Sequence, residues 1–160
     1  MLRVNVFTDA CQYDASDPPG YESAALNLGE RLCGERLGGE GLAVKVFEVP
    51  PGQSVCPYHY EYEEEWLVVL AGSVLLRTPE GEETLASGAA VCFAPGPAGA
   101  HKASNAGTET ARLMMFSSAR EPAVAVYPDS DKIGVWPGGD RDKVMLRRQD
   151  GGVDYWDGER

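Results

Sequence analysis

The chain contains only two histidines, His59 and His101, and each stands in a polar break between apolar segments. A lone histidine is usually a structural or surface residue, but His59 is followed by Glu61 and Glu65 in GQSVCPYHYEYEEEWLVVLAG, residues 52–72. In extended backbone alternate side chains share a face, which sets positions 59 and 61 about 6–7 Å apart along one side of a strand. An imidazole nitrogen and a carboxylate oxygen so placed can converge on one divalent ion with bonds of about 2 Å. Glu65 joins them from the start of the next strand after a turn. His101, in GAAVCFAPGPAGAHKASN, residues 88–105, comes to the same point from a distant strand. The expected site is therefore a divalent-metal centre of His59, Glu61, Glu65 and His101. Glu63 and Glu64 read as a solvated acidic turn.

The elements that must position these groups read as strands. Short Val- and Leu-rich runs (RVNVF, LAVKVFEV, EWLVVLAG, SVLLRT, EETLA, AAVCFAP, ARLMMFSS and AVAVY) are punctuated by turn formers, with 19 Gly and 11 Pro in the chain. That pattern predicts an all-β sandwich or barrel. One hairpin is expected at Ala71-Gly72, between EWLVVL and SVLLRT, and another at Pro79-Glu80-Gly81, between SVLLRT and EETLA. Glu22 to Leu32 is the best helix candidate, but Gly29 interrupts it and it reads as a loop with at most a helical turn. With no long helices between strands, parallel α/β folds are unexpected. Three zones follow: an N-terminal arm, residues 1–40; a strand-dense core, 41–120; and a polar C-terminal extension, 121–160. Trp136, Tyr155 and Trp156 in the extension are expected to pack onto the core or a partner chain.

Composition narrows the function. The 160 residues fit one domain, and 14 basic against 25 acidic side chains give a net charge of −11. Nucleic-acid binding needs clustered Lys and Arg, and the one basic cluster, Lys143 to Arg148, reads as a solvated strand face. No apolar run spans a bilayer and nothing resembles an export signal, so a cytoplasmic protein with reduced thiols is expected. Of the four cysteines, Cys92 reads as a small buried hydrophobe. Cys56 reads as packing close to the histidine motif.

The two histidine segments resemble the paired motifs of the cupin superfamily. His59, position 61, Glu65 and Gly72 fall at the spacings of the first motif, with a spacer after Gly52 one residue longer than usual. Gly88, Gly96, His101 and Asn105 match the second in order, with Ala94 in place of the expected Pro and a Gly96–His101 spacer two residues longer. The resemblance implies a single-domain double-stranded β-helix, or jelly-roll barrel, with the arm and the extension added. It also implies a metal site of three histidines and one glutamate, and a homodimer in which an N-terminal strand such as RVNVF pairs with the other subunit. Glu61 stands where the family usually has its second histidine. A site of two histidines and two carboxylates is then expected, for manganese, iron, zinc or nickel.

Two functional classes follow, and a storage-protein role is disfavoured by the single small barrel. The first is a metal-dependent enzyme of dioxygenase, isomerase or lyase type acting on an oxygen-rich small molecule, with Glu65 or Glu61 as catalytic carboxylate. The alternative is a non-catalytic module that binds a small molecule or a metal. Fold alone does not decide between them.

Overall fold

A computed structural model of the chain describes residues 3–33, 41–118, 120–138 and 142–159. Its strands are β1 (Gln12–Tyr13), β2 (Ala24–Asn27), β3 (Ala43–Val49), β4 (Tyr60–Glu61), β5 (Glu65–Ala71), β6 (Ser73–Thr78) and β7 (Gly81–Ala86). They continue with β8 (Ala90–Phe93), β9 (Lys102–Ser104), β10 (Ala111–Ser117), β11 (Ala123–Tyr127), β12 (Lys132–Trp136) and β13 (Val144–Arg147). Two short helices, α1 (Leu28–Cys33) and α2 (Arg148–Gly151), complete it. All strand pairings among the described residues are antiparallel. They form three sheets, ordered β1-β2-β3-β10-β5-β8, β7-β6-β9 and β13-β12-β11-β4. This is the jelly-roll barrel that the strand pattern and the motifs predict.

The core lies between the first two sheets. Alternate residues turn inward: Leu67 and Val69 from β5, Val74 and Leu76 from β6, Phe93 from β8, and Leu113 and Met115 from β10 form one cluster. Leu67, Leu76 and Leu113 are fully buried, each contributing about 1.5–3 kcal/mol relative to an exposed side chain. A smaller cluster of Tyr58, Tyr60, Ala100 and Val126, with Ile133 against it, joins β11 and β12 to the β4 segment. The C-terminal strands thus close over the segment that carries the first histidine.

Several local expectations are corrected. SVLLRT and EETLA do form a hairpin, with Thr78 opposite Gly81. EWLVVL and SVLLRT do not, because β5 pairs with β10 and β8 while β6 pairs with β7 and β9. Gly72 is instead the corner at which the chain crosses from one sheet to the other. Its φ of 74° is left-handed, and a Cβ there would lie 3.1 Å from Ala111 Cα. Glu22–Leu32 splits into β2 and α1, because Ala24 to Asn27 find an edge on β3. RVNVF forms no strand within the chain. Arg112, which is buried and ion-paired to Glu48, donates from Nε to the Val6 carbonyl at 2.7 Å and pins that segment in a turn. Cys92 is exposed rather than buried, since Val91 and Phe93 take the inward positions of β8 and leave Cys92 facing outward opposite Trp66.

Tyr155 and Trp156 are exposed, edge to face with each other, while Trp136 is half-buried and lies over Gly134. Val144, Met145 and Leu146 on β13 are also exposed.

Candidate metal centre

The two histidines lie 42 residues apart in the sequence yet form a directly opposed pair. His59 N donates to the His101 carbonyl at 3.1 Å, and His101 N donates back to the His59 carbonyl at 2.8 Å. In such a hydrogen-bonded antiparallel pair both side chains emerge on the same face. A second bridge joins Ser54 to Ser104. Between the two bridges the first segment runs two residues longer, so Val55 to Tyr58 form a bulge, with Val55 N still donating to the Ala103 carbonyl at 3.0 Å. Gly96 N donates to the Glu61 carbonyl at 2.7 Å and ties the motifs together again.

Each imidazole is fixed by a backbone carbonyl. His59 Nδ1 lies 3.0 Å from the Pro57 oxygen, and His101 Nδ1 lies 2.9 Å from the Gly99 oxygen. A carbonyl only accepts, so both Nδ1 atoms donate, and in the neutral rings both Nε2 atoms present lone pairs to the site. The long Gly96–His101 spacer folds into the 3-10 turn Pro97–Gly99 that supplies the second carbonyl. Gly99 must be glycine there, because a Cβ would fall 1.9 Å from the Ala94 oxygen. Ring contacts hold the imidazoles from the side. Phe93 stacks on His101 with centroids 3.6 Å apart and an interplanar angle of 7°, and Tyr127 stacks on His59 at 5.9 Å.

Glu65 opens β5 and reaches between the histidines. Its Oε2 lies 3.3 Å from His101 Nε2 and 3.9 Å from His59 Nε2. The facing ligand atoms of His59, Glu65 and His101 all lie within 4.8 Å of one another. Glu61 sits at the rim, 4.0 Å from His59 Nε2, with its side chain 32% exposed. Glu63 and Glu64 are turned away: Glu63 accepts from Ser118 and lies near Arg120, and Glu64 accepts from Trp66 Nε1. Asn105, the last match of the second motif, is a buried brace. Its Nδ2 donates to the Val49 and Glu109 carbonyls, and its Oδ1 accepts from Gly107 N.

The donor set suits a cation. Glu65 Oε2 and His101 Nε2 are buried without hydrogen-bond partners among the described residues. With the proton of His101 on Nδ1, both are acceptors, and two acceptors 3.3 Å apart repel unless a positive charge lies between them. Two imidazoles and a carboxylate are a common donor set for zinc, iron and manganese. In the metal-free protein, burial and the neighbouring His101 lower the His59 pKa, which keeps that ring neutral and able to ligate. Burial first, and then the charge of Glu65, raise the Glu61 carboxyl to about 7. Burial lifts the Tyr127 phenol to about 12. Cys56, 3.5 Å from His59 Nδ1, is pushed well above the usual thiol value by burial and by Glu65 and Glu61, so it is an inert wall residue.

A cavity of about 400 Å³ opens over His59, Glu61 and Glu65, with His101 buried behind them. Phe47, Val55, Met115 and Phe116 give it apolar walls, with Glu61 and Lys45 at polar points. Sequence reasoning passed over Phe93, Tyr127 and Lys45. The first two sit in ordinary apolar strand patterns. Lys45 sits in AVKVFEV, where both faces carry apolar residues and alternation does not reveal which face is inward.

A jelly-roll barrel with two histidines and a glutamate gathered under its open end defines a cupin. Residues 45–117 match the family model described as the cupin domain, so the chain carries a cupin domain over that stretch. No curated protein matches the chain in sequence. Among solved structures, a candidate sugar phosphate isomerase of Acidithiobacillus ferrooxidans is 26% identical, with a TM-score of 0.72 over 85% of this chain and 83% of its own. A sugar phosphate isomerase of the cupin superfamily from Silicibacter pomeroyi is 19% identical, with a TM-score of 0.73 over 96% and 97%. A polyketide cyclase of Streptomyces resistomycificus is 23% identical, with a TM-score of 0.60 over 77% and 83%. The last two likenesses concern the fold alone.

Proposed function

We propose that this chain is a divalent-metal cupin enzyme that isomerises, cleaves or oxidises a small oxygen-rich molecule in the cavity over His59, Glu65 and His101. The observation that carries the reading is the pair of buried, unpartnered acceptors, Glu65 Oε2 and His101 Nε2, 3.3 Å apart beneath that cavity. His59, Glu65 and His101 would hold the ion, which when bound supplies Lewis acidity toward a substrate oxygen. The Pro57 and Gly99 carbonyls keep both imidazoles in the ligating tautomer, and Phe93 and Tyr127 hold their planes. The apolar walls exclude water from the reacting atoms. Glu61, at the rim and partly exposed, completes the ligand set or takes a proton from the substrate. The candidate sugar phosphate isomerase from Acidithiobacillus ferrooxidans, 26% identical to this chain, supports a sugar-like substrate. The protein is proposed to work in the cytoplasm as a homodimer, a reading supported by the exposed apolar residues Val144, Met145 and Leu146 on the edge strand β13. Among the described residues no helix is long and apolar enough to cross a membrane.

A non-catalytic binding module is the second reading, favoured by a cavity wall that is mostly apolar and offers Glu61 as its one carboxylate outside the His59–Glu65–His101 cluster. Elemental analysis of the purified protein tests the metal centre, with one divalent ion per chain expected. Full metal content in both His59→Ala and His101→Ala would overturn the site. Turnover of phosphorylated and free sugars by the loaded protein, lost in both variants, separates enzyme from module.

A further inference from the structure

Lys45 is an exposed charged residue whose side of β3 borders the cavity mouth. Strand alternation in β3 sends Ala43, Lys45, Phe47 and Val49 to one side. Val49 is in the barrel core and Phe47 packs against it, while Ala43 and Lys45 line the cavity. Lys45 is thus the step on β3 at which the apolar core gives way to the open end. It is the one Lys or Arg among the described residues lining the cavity. It takes part in none of the ion pairs among the described residues. Its charge is felt by the Glu61 carboxyl on the same cavity. On its other side Lys45 borders a groove of about 880 Å³ with Asn27 and Arg31, so it stands at the entrance rather than at the floor.

The charge balance of the cavity gives this placement a use. Two carboxylates, Glu61 and Glu65, cancel a divalent ion, and neutral imidazoles add nothing. Lys45 then leaves the loaded cavity with one positive charge, in a chain whose net charge is −11. A cation at the mouth of a cleft with low-dielectric walls attracts an anion more strongly than one on an open surface. A lysine ammonium also suits a phosphate or carboxylate, as a compact point charge with three donors.

We propose that Lys45 is the oxyanion-recognition residue of this cavity, so that the small molecule bound there carries a phosphate or carboxylate group held by Lys45 at the entrance. This rests on the reading of the cavity as the ligand site, and it narrows the substrate to acidic small molecules. Lys45 is a specificity-determining residue in this account. Metal loading should strengthen anion binding, because removing the ion leaves the cavity negative.

The test is calorimetric titration of inorganic phosphate and, separately, glycolate into wild type, Lys45→Met, Lys45→Gln and Lys45→Arg, each with and without manganese. Direct manganese titration of the same proteins is run first. The expected result is unchanged manganese affinity in all four, anion affinity at least about tenfold weaker in Lys45→Met and Lys45→Gln, and most of it retained in Lys45→Arg. The preferred anion identifies the group. The Lys45 contribution is the ratio of wild-type to variant affinity and is read in both metal states. If manganese does not bind, the metal reading falls while a Lys45-dependent ratio still upholds this one. Equal anion affinity in wild type and Lys45→Met, or no saturable binding of either anion to wild type, would overturn it.

Discussion

Replacing Glu65 by Gln should make the protein more stable than wild type without metal and less stable than wild type with it. In the metal-free chain Glu65 Oε2 and His101 Nε2 are buried acceptors 3.3 Å apart with no donor between them. A glutamine amide donates from its nitrogen, so Glu65→Gln places a hydrogen bond where two lone pairs now face each other. Satisfying a buried group of this kind is worth about 1–3 kcal/mol. For a domain of this size, 1 kcal/mol moves Tm by roughly 2–4 °C, so the variant should melt higher than wild type in chelator. Excess metal should invert this. An ion at a hundred times its Kd stabilises the wild type by about 2.7 kcal/mol, or roughly 5–11 °C. Glu65→Gln has lost its anionic ligand and should gain far less. Thermal unfolding of both proteins, in EDTA and then across a manganese or zinc titration, should give curves that cross. A variant less stable than wild type in EDTA, with an equal gain from metal, would show that Glu65 already has a partner and that the cluster is not a cation site.

Other perturbations probe the site and its frame. Glu61→His restores the residue that the family usually carries; it should keep the fold, raise affinity for zinc, nickel or copper, and strengthen anion binding through a shell one charge more positive. Identical metal preference and anion affinity in the two proteins would remove Glu61 from the ligand set. Asn105→Ala strips donors from the Val49 and Glu109 carbonyls and should cost about 1–3 kcal/mol, read by chemical unfolding. The Arg77–Asp129 pair, in which Arg77 also lies 3.9 Å over the Tyr58 ring, holds the Asp129 carboxyl below its usual value of 3.8 through the Arg77 hydrogen bond. A depressed carboxylate contributes stability above its unfolded pKa and loses it as pH falls through the folded one. Both groups are well exposed, so Asp129→Asn should cost under about 1 kcal/mol at pH 7 and nothing once the pH lies below the lowered folded pKa of Asp129. A difference that persists in acid would assign the effect to packing.

What could be read from the residues alone was whatever depends on local periodicity and on residue scarcity. Alternating Val and Leu runs broken by Gly and Pro imply antiparallel strands, since a two-residue repeat buries one face of a strand whatever that strand pairs with. Two histidines in the whole chain, each among cupin-like motif residues, single out the candidate ligands from sequence alone. Pairing is a different kind of information. Gly72 makes a corner and not a hairpin because β5 is already flanked by β10 and β8, a choice made by distant strands. Cys92 and Lys45 illustrate the same limit: AAVCF and AVKVFEV are apolar on both faces, so only the register against β5 and β10 decides that Cys92 faces away from the core and that Lys45 lies exposed at the cavity mouth. The tautomers of the two imidazoles also belong to the tertiary structure. They are set by the Pro57 and Gly99 carbonyls, backbone atoms present in any sequence, which become ligand-orienting groups only where the chain bulges and turns beside its histidines.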